Sequence, residues 1–292
     1  MITTAFTIHA RPMPWWANIS AVAARELRDA LRARWFLLYT IAFAALGLGV
    51  SYISAAGSGA SGLSGYGRTT AGLINLVLLV VPLMALTAGA GSIASDRERG
   101  MLPYLLAQPV SRFEVLLGKY VGLALALLAC ICLGLGACAG VLAWSGAGGT
   151  AGGASAMLWL AGLSFGLALG MLSIGLLVSV FARKASVATG TAVFLWLALV
   201  FATDLGIMAG TLALRLRIQT LFGLSLANPL QVFKMWSLHA LDASLDVLGP
   251  AGLYASDTFA GKLAWMFGGS LVAWAVVPLL IASYAFARRS AA

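Results

Sequence analysis

The sequence predicts an all-α membrane protein. It has six transmembrane helices, an amphipathic helix before the first span, a short helix in the loop after the second, and an outer amphipathic helical segment. Three observations carry this reading. Of 292 residues, 61% are hydrophobic and only 9% are charged, where a soluble domain carries about 25% charge. The mean hydropathy is +0.98. Six apolar runs, at about 35–55, 72–92, 119–144, 156–182, 186–209 and 260–286, each reach the roughly 20 residues that a bilayer core requires. The basic residues, finally, are distributed unevenly between the loops.

Six spans leave both termini on one side. That side collects 13 lysines and arginines, in the N-terminal segment, the loop after span two, Arg183–Lys184 and Arg288–Arg289; the other side holds five, namely Arg68, Arg215, Arg217, Lys234 and Lys262. The excess of positive charge marks the cytoplasmic side, so both termini and the loop 93–119 are expected in the cytoplasm, with the chain in a bacterial inner membrane. The net charge of +9 is then a topology signal and a lipid contact, and no nucleic-acid partner is expected. The first 18 residues lack an apolar core of 7–15 residues, so no cleaved signal peptide is expected. The chain divides into a tail (1–18), an amphipathic helix (19–34) and a six-span domain (35–292) that contains the loop 93–119 and an outer segment 210–259.

In the first helix, Arg25, Arg28, Asp29 and Arg32 recur at helical spacing opposite Ile19, Val22, Ala23, Leu27, Ala30 and Leu31. Such a basic amphipathic helix lies in the membrane interface. The Gly/Ser-rich stretches SAAGSGASGLSGYG and SGAGGTAGGAS are expected to be flexible outer loops. The loop after span two is the most legible part of the chain. Gly100 can end the incoming helix, Pro103 suits the first turn of a short helix over Leu102–Ala107, and Gln108-Pro109 breaks that helix. Ser111-Arg112-Phe113-Glu114 is a capping box, with Val110 and Val115 at staple positions, so the next helix starts at Ser111 and projects beyond the apolar run that begins near Lys119. Gly162, Gly166 and Gly170 in span four, Gly136–Gly140 and Gly206–Gly210 share a spacing that permits close helix approach, although 34 glycines make chance matches common. Pro82 and Pro278 are expected to bend spans two and six. In the outer segment, Asn228-Pro229 starts a helix and Gly249-Pro250 stops it.

Catalytic constellations are absent. The two histidines are His9 in the tail and His239 in the outer segment, and no H-E-x-x-H occurs. Gly118-Lys119-Tyr120 and Gly261-Lys262-Leu263 lack the hydroxyl residue and the earlier glycine of a phosphate-binding loop. The chain is therefore not expected to hydrolyse ATP. Cys130, Cys132 and Cys138 lie in one run at spacings that prevent joint metal ligation from one helix, and they read as small core residues; no metal site is expected. Asp204 is the one acid inside an apolar run, and intramembrane acids mark pathways or interfacial pairs. Asn75 and Thr87 in span two suit either a pathway or packing hydrogen bonds.

The order of these elements, with ARELRDALRARW before span one and DRERGMLPYLLAQPVSRFEVLLGKYVG after span two, resembles the ABC transporter permeases of the type-two exporter family. The family loop follows E-x-x-G-T-L…L-L-x-x-P-[VI]-S-R…G-K. Gly100, Leu102, Leu105, Leu106, Pro109, Val110, Ser111, Arg112, Gly118 and Lys119 fit, Glu98 stands one position closer to Gly100 than the pattern's glutamate, and Met101 replaces the usual threonine. The resemblance implies a homodimer bound to two copies of a cytoplasmic ABC ATPase, which carries the ATP and Mg; this chain binds no cofactor. It implies ATPase coupling through Glu98, Gly100, Leu102, Pro103, Tyr104, Leu105, Leu106, Pro109, Ser111, Arg112 and Glu114, and a dimer pathway along spans two and five. The stretch ANPLQVFKMW is similar to family members that support copper-site maturation of nitrous oxide reductase. That similarity implies a sulfur species as cargo and a periplasmic β-helical partner docked on Asn228, Pro229, Phe233, Lys234 and Trp236. The competing readings are a generic exporter of lipid, drug or polysaccharide, a non-transporting anchor or sensor, and an intramembrane enzyme.

Overall fold

The computed structural model describes residues 14–57, 62–107, 110–144, 151–212, 218–240 and 262–288, and every element among them is an α-helix. In chain order these are α1 (Trp15–Arg32), α2 (Arg34–Gly57), α3 (Gly62–Glu98), α4 (Met101–Leu106), α5 (Arg112–Trp144), α6 (Ala151–Phe181), α7 (Ala185–Leu212), α8 (Ile218–Leu226), α9 (Pro229–Ala240) and α10 (Leu263–Arg288). Five of them, α2, α3, α5, α6 and α10, are long and apolar enough to cross a membrane. The remaining run, 186–209, corresponds to α7, whose described apolar part is Ala185–Phe201.

The helices reach further than hydropathy alone suggests. The two Gly/Ser-rich stretches are partly helical: α2 continues to Gly57, α3 begins at Gly62, and α6 begins at Ala151. Each glycine costs about 1 kcal/mol relative to alanine in a helix, but extending an existing helix needs no new nucleus. α1 likewise starts at Trp15, ahead of the expected boundary, with Pro14 in an extended conformation just before it. Pro82 and Pro278 sit within continuous helices. The outer segment contains α8 as well as α9; residues 241–261, where the longer predicted helix and its Gly249-Pro250 stop fall, lie outside the described residues.

The centre of the bundle is the pair α3 and α6. α7 packs on α3, α10 on α6, α2 on α5 and α3, and α1 on α5. The α3–α6 crossing is a backbone contact. A Cβ at Gly175 would stand 2.5 Å from the Leu86 carbonyl oxygen and 3.1 Å from the Gly89 Cα, and one at Gly89 would stand 2.7 Å from the Leu172 carbonyl oxygen. α1 is seated in the same way on α5, where a Cβ at Gly118 would meet Val22 and one at Gly122 would meet the Ala23 carbonyl oxygen at 2.5 Å. The glycine patterns singled out from the sequence do less. Gly166 and Gly170 face Leu271 and Trp274 of α10 at ordinary contact distance, whereas Gly162, Gly136 and Gly140 meet nothing within 4 Å. The side chains around Gly206 and Gly210 lie outside the described residues.

Candidate coupling loop and intramembrane cavities

The loop after α3 is shaped by local rules. α3 ends at Glu98, and Gly100 takes φ +69°, the left-handed conformation that favours glycine, with its N–H donating to the Arg97 carbonyl at 3.1 Å. α4 follows over Met101–Leu106, with Pro103 in its first turn. The capping box is present at the start of α5. The Ser111 N–H donates to Glu114 Oε2 at 3.2 Å, and the Glu114 N–H donates to Ser111 Oγ at 3.2 Å. Pro109 lies outside the described residues, as do the side chains of Pro103 and Leu106.

The charged residues in and around this loop tie it to five other helices. Arg97 donates to the carbonyls of Val180, at 3.4 Å, and Ala182, where α6 ends. Glu98 Oε2 accepts from the N–H of Ala185 at 3.0 Å, which places a carboxylate at the positive N-terminus of α7. Arg112 donates to the Phe286 carbonyl at 3.0 Å and lies 5.9 Å from the centroid of that ring, in the last turn of α10. Glu114 Oε2 also accepts from Asn18 Nδ2 of α1 at 2.9 Å. Lys119 is 4% exposed, and its ammonium bridges Glu26 Oε2 of α1 at 2.9 Å and Asp96 Oδ2 of α3 at 2.8 Å.

The loop-charge count treats Lys119 as a topology charge, whereas the structure buries it between Glu26 and Asp96. A signal for Glu26 existed: it falls on the apolar stripe of α1, three residues after Ala23 and four before Ala30, both buried. An acid on the buried face of a helix calls for a buried cation.

The apolar coupling candidates separate into two faces. Leu102 (1% exposed) and Leu105 point inward; Leu102 packs with Ile93, Leu116, Leu176, Val180, Ala282 and Phe286. These two leucines are therefore a correction: they anchor α4 to the bundle and are not free for a partner to grip. Tyr104 (68%), Phe113 (52%) and Met101 form the outward apolar surface, with Arg99 exposed beside them. Leu102→Ala is expected to destabilise the protein by about 2–5 kcal/mol through the cavity it leaves, read as a lower midpoint of thermal unfolding in detergent, while Tyr104→Ala leaves that midpoint within the range of surface substitutions.

Two cavities lie along α3 and α7. The larger, about 490 Å³, borders the Lys119 cluster and is lined by Trp35, Tyr39, Thr87, Ser92, Arg99 and Thr189 among others. The Ser92 hydroxyl is buried there with no hydrogen-bond partner among the described residues. Thr87 donates to the Leu83 carbonyl at 2.8 Å, a packing hydrogen bond within its own helix. The smaller cavity, about 190 Å³, is bordered by Asn75, Gln231 and Lys234 together with apolar residues of α3, α7 and α9. The side chain of Asp204 lies outside the described residues.

On the opposite side of the loop, Asn228 caps α9 through its Oδ1, which accepts from the Leu230 N–H at 2.9 Å, while its Nδ2 donates to the Leu199 carbonyl at 2.7 Å. Asn228, Pro229 and Phe233 are buried within the chain, so these expected docking side chains are turned away from any partner. Lys234 and Trp236 remain partly exposed. The reason is that α9 wedges against α6 and α10 instead of lying flat on the bundle, with Trp236 over Gly268. Cys130 and Cys138 are buried as core residues, with the Cys130 thiol 3.7 Å from the Met84 sulfur, but Cys132 is exposed on the bundle surface, contrary to the expectation for all three. Among the described residues, no group of three or more His, Cys, Asp or Glu side chains could hold a metal.

With this geometry in place, comparison with known proteins is specific. The family described as ABC-2 family transporter protein matches residues 20–291. A protein of Stutzerimonas stutzeri described as probable ABC transporter permease protein NosY is 31% identical over 275 residues, covering 92% of this chain and 97% of the relative. A Pseudomonas aeruginosa protein of the same description is 32% identical over 295 residues, covering 95% and 99%.

Proposed function

The chain belongs to the ABC-2 transporter family, and from that membership we propose that it is the non-catalytic permease subunit of an ATP-driven transporter of the bacterial inner membrane. Both termini and the α4 loop face the cytoplasm. The protein works as a homodimer with two copies of a cytoplasmic ATPase, and ATP and Mg are bound there. The observation that carries this reading is the loop itself. Its outer surface offers Tyr104, Met101 and Phe113, while its charged residues hold the ends of α6, α7 and α10 and reach α1 and α3. A partner that moves α4 therefore moves the whole end of the bundle.

The role we infer is delivery of a sulfur species across the membrane for assembly of the copper site of nitrous oxide reductase, with a NosF-like ATPase on the cytoplasmic side and a NosD-like β-helical protein on the other. Near full-length coverage of both NosY relatives supports it. The buried positions of Phe233 and Asn228 shift the outer docking surface toward Lys234, Trp236 and their exposed surroundings. One observation favours a second reading, export of an amphiphile: the larger cavity combines aromatic side chains with charges of both signs. Reproducible co-purification of a β-helical partner decides for the maturation role; its absence decides for the generic exporter.

The coupling reading has a direct test. Tyr104→Ala is expected to lower recovery of the ATPase with the purified permease by about tenfold, the effect of removing one interface anchor. Ser111→Ala combined with Glu114→Ala is expected to lower transport-linked ATPase activity while the chain still inserts. Full ATPase recovery and full activity in both variants would place the grip elsewhere.

A further inference from the structure

The cavity of about 490 Å³ beside the Lys119 cluster follows one face of α3. Ala88, Gly91, Ser92, Ser95 and Arg99 recur along it at three- and four-residue spacing. From Thr87 to Arg99 the chain advances about 18 Å, at 1.5 Å per residue. The wall changes character over that length. The Arg99 end carries three cations, Arg25, Lys119 and Arg99, against three acids, Glu26, Asp29 and Asp96. Thr87, Ala88, Leu123 and Val193 form the deeper end, and Trp35 and Tyr39 add aromatic rings of the kind that anchor at membrane interfaces. Gly91 keeps the space open, since a Cβ there would meet nothing within 4 Å.

The charges do not pair off evenly. Arg25 pairs with Asp29 at 3.7 Å. Glu26 and Asp96 share one ammonium, that of Lys119, through Glu26 Oε2 and Asp96 Oδ2. Glu26 Oε1 and Asp96 Oδ1 accept no hydrogen bond among the described residues, and the Arg99 guanidinium donates none. The wall is therefore neutral in sum but polarised, with a surplus negative charge at Glu26 and Asp96 and a surplus positive charge at Arg99. Ser92, 7% exposed, adds a buried hydroxyl without a partner among the described residues, a group that costs stability until something satisfies it. A ligand that completes this wall needs an anion for Arg99, an ammonium with N–H donors for the two free carboxylate oxygens, and apolar chains for the deeper end. We propose that the cavity holds a resident phosphatidylethanolamine, with its phosphate at Arg99, its primary ammonium at Glu26 and Asp96, and its glycerol region beside Ser92. A free anion lacks the apolar part, and a choline headgroup has no N–H to donate. The lipid is a fixed component of the contact between α1, α3 and α5, not the cargo, so the inference goes beyond the transport reading and stands whatever the cargo is.

The test starts from the purified full chain, stripped of lipid in detergent. It is titrated with dioleoyl phosphatidylethanolamine, phosphatidylcholine and phosphatidylglycerol, and read by native mass spectrometry and by the midpoint of thermal unfolding. Saturable binding of the ethanolamine lipid is expected, with the other two weaker by about tenfold, the effect of losing a hydrogen bond to a charged group. Arg99→Gln, at an exposed guanidinium, is expected to weaken binding by about tenfold, and Arg99→Lys to restore part of it. Gly91→Leu, which grows into open space, is expected to displace the lipid while the chain still folds. The lipid series needs no variant, so it judges the site even where a substitution disturbs folding. Equal binding of the three lipids, binding of none, unchanged binding in Arg99→Gln, or equal stabilisation by water-soluble phosphoethanolamine overturns the site. Release of the bound lipid during ATP turnover with the partner ATPase overturns its resident role.

Discussion

Replacement of Lys119 by methionine is expected to destabilise the protein by about 3–5 kcal/mol, because it removes the shared cation from two largely buried carboxylates. Glu26 and Asp96 are 18% and 15% exposed and stand within 2.9 Å of the Lys119 ammonium. Without that ammonium, each must take up a proton, draw in water or push the helices apart. The third route has a visible consequence, since α1 is held to α5 by this cluster, by the Asn18–Glu114 hydrogen bond and by close contact at Gly118 and Gly122. The measurement is thermal unfolding in detergent, paired with limited proteolysis between α1 and α2, where the variant is expected to be cut faster. The triple variant Lys119→Met, Glu26→Gln, Asp96→Asn is expected to recover a large part of the loss, because neutral amides carry no unpaired charge. A triple variant as unstable as the single one would show that lost packing, and not the orphaned carboxylates, sets the cost.

The second large effect lies at the α3–α6 crossing. Gly175→Ala places a methyl group 2.5 Å from the Leu86 carbonyl oxygen, a rigid backbone atom that no side-chain rotation can move aside. Overpacking of this kind costs about 1–3 kcal/mol and occasionally more, and here it acts on the central helix pair, so a loss at the upper end or failure to fold is expected. Gly162→Ala is the control on the same helix. Nothing lies within 4 Å of its added Cβ, and alanine is favoured over glycine in a helix by about 1 kcal/mol, so that variant is expected to be neutral or slightly more stable. Equal behaviour of the two variants in a folding assay would contradict the backbone contact.

The contrast between these glycines shows where the sequence was readable. Local devices could be read directly. Gly100, the Ser111–Glu114 box and the Asn228 cap each depend on a few neighbouring residues, and each forms as expected. The long spans were equally legible, because hydrophobic length is a sum along the chain. Long-range partners were not. Gly89 and Gly175 belong to no shared spacing pattern, and only the fold brings them within contact. Lys119 sits at the edge of an apolar run, so counting it as a loop charge was natural; its burial comes from α1 folding back across it. The same holds for Phe233 and Pro229, whose helix could have lain on the surface but instead enters the bundle. For Tyr104 and Leu102, position in the loop identified the helix but not which face turned inward.

The seat of α1 also imposes an order in time. Asn18 and Glu26 leave the ribosome long before Glu114 and Lys119, their partners 96 and 93 residues further along. While α2 and α3 are being threaded into the bilayer, the first helix has no glycine groove to rest in and no ammonium for its buried-side acid. Its exposed Trp15 and Trp16 are of the kind that anchor at a membrane interface, and the helix is expected to rest there until α5 is made. A nascent chain that stops before Lys119 thus carries a loose amphipathic arm with an unpaired acid, while completion of α5 closes the arm onto the bundle and hides it from proteases.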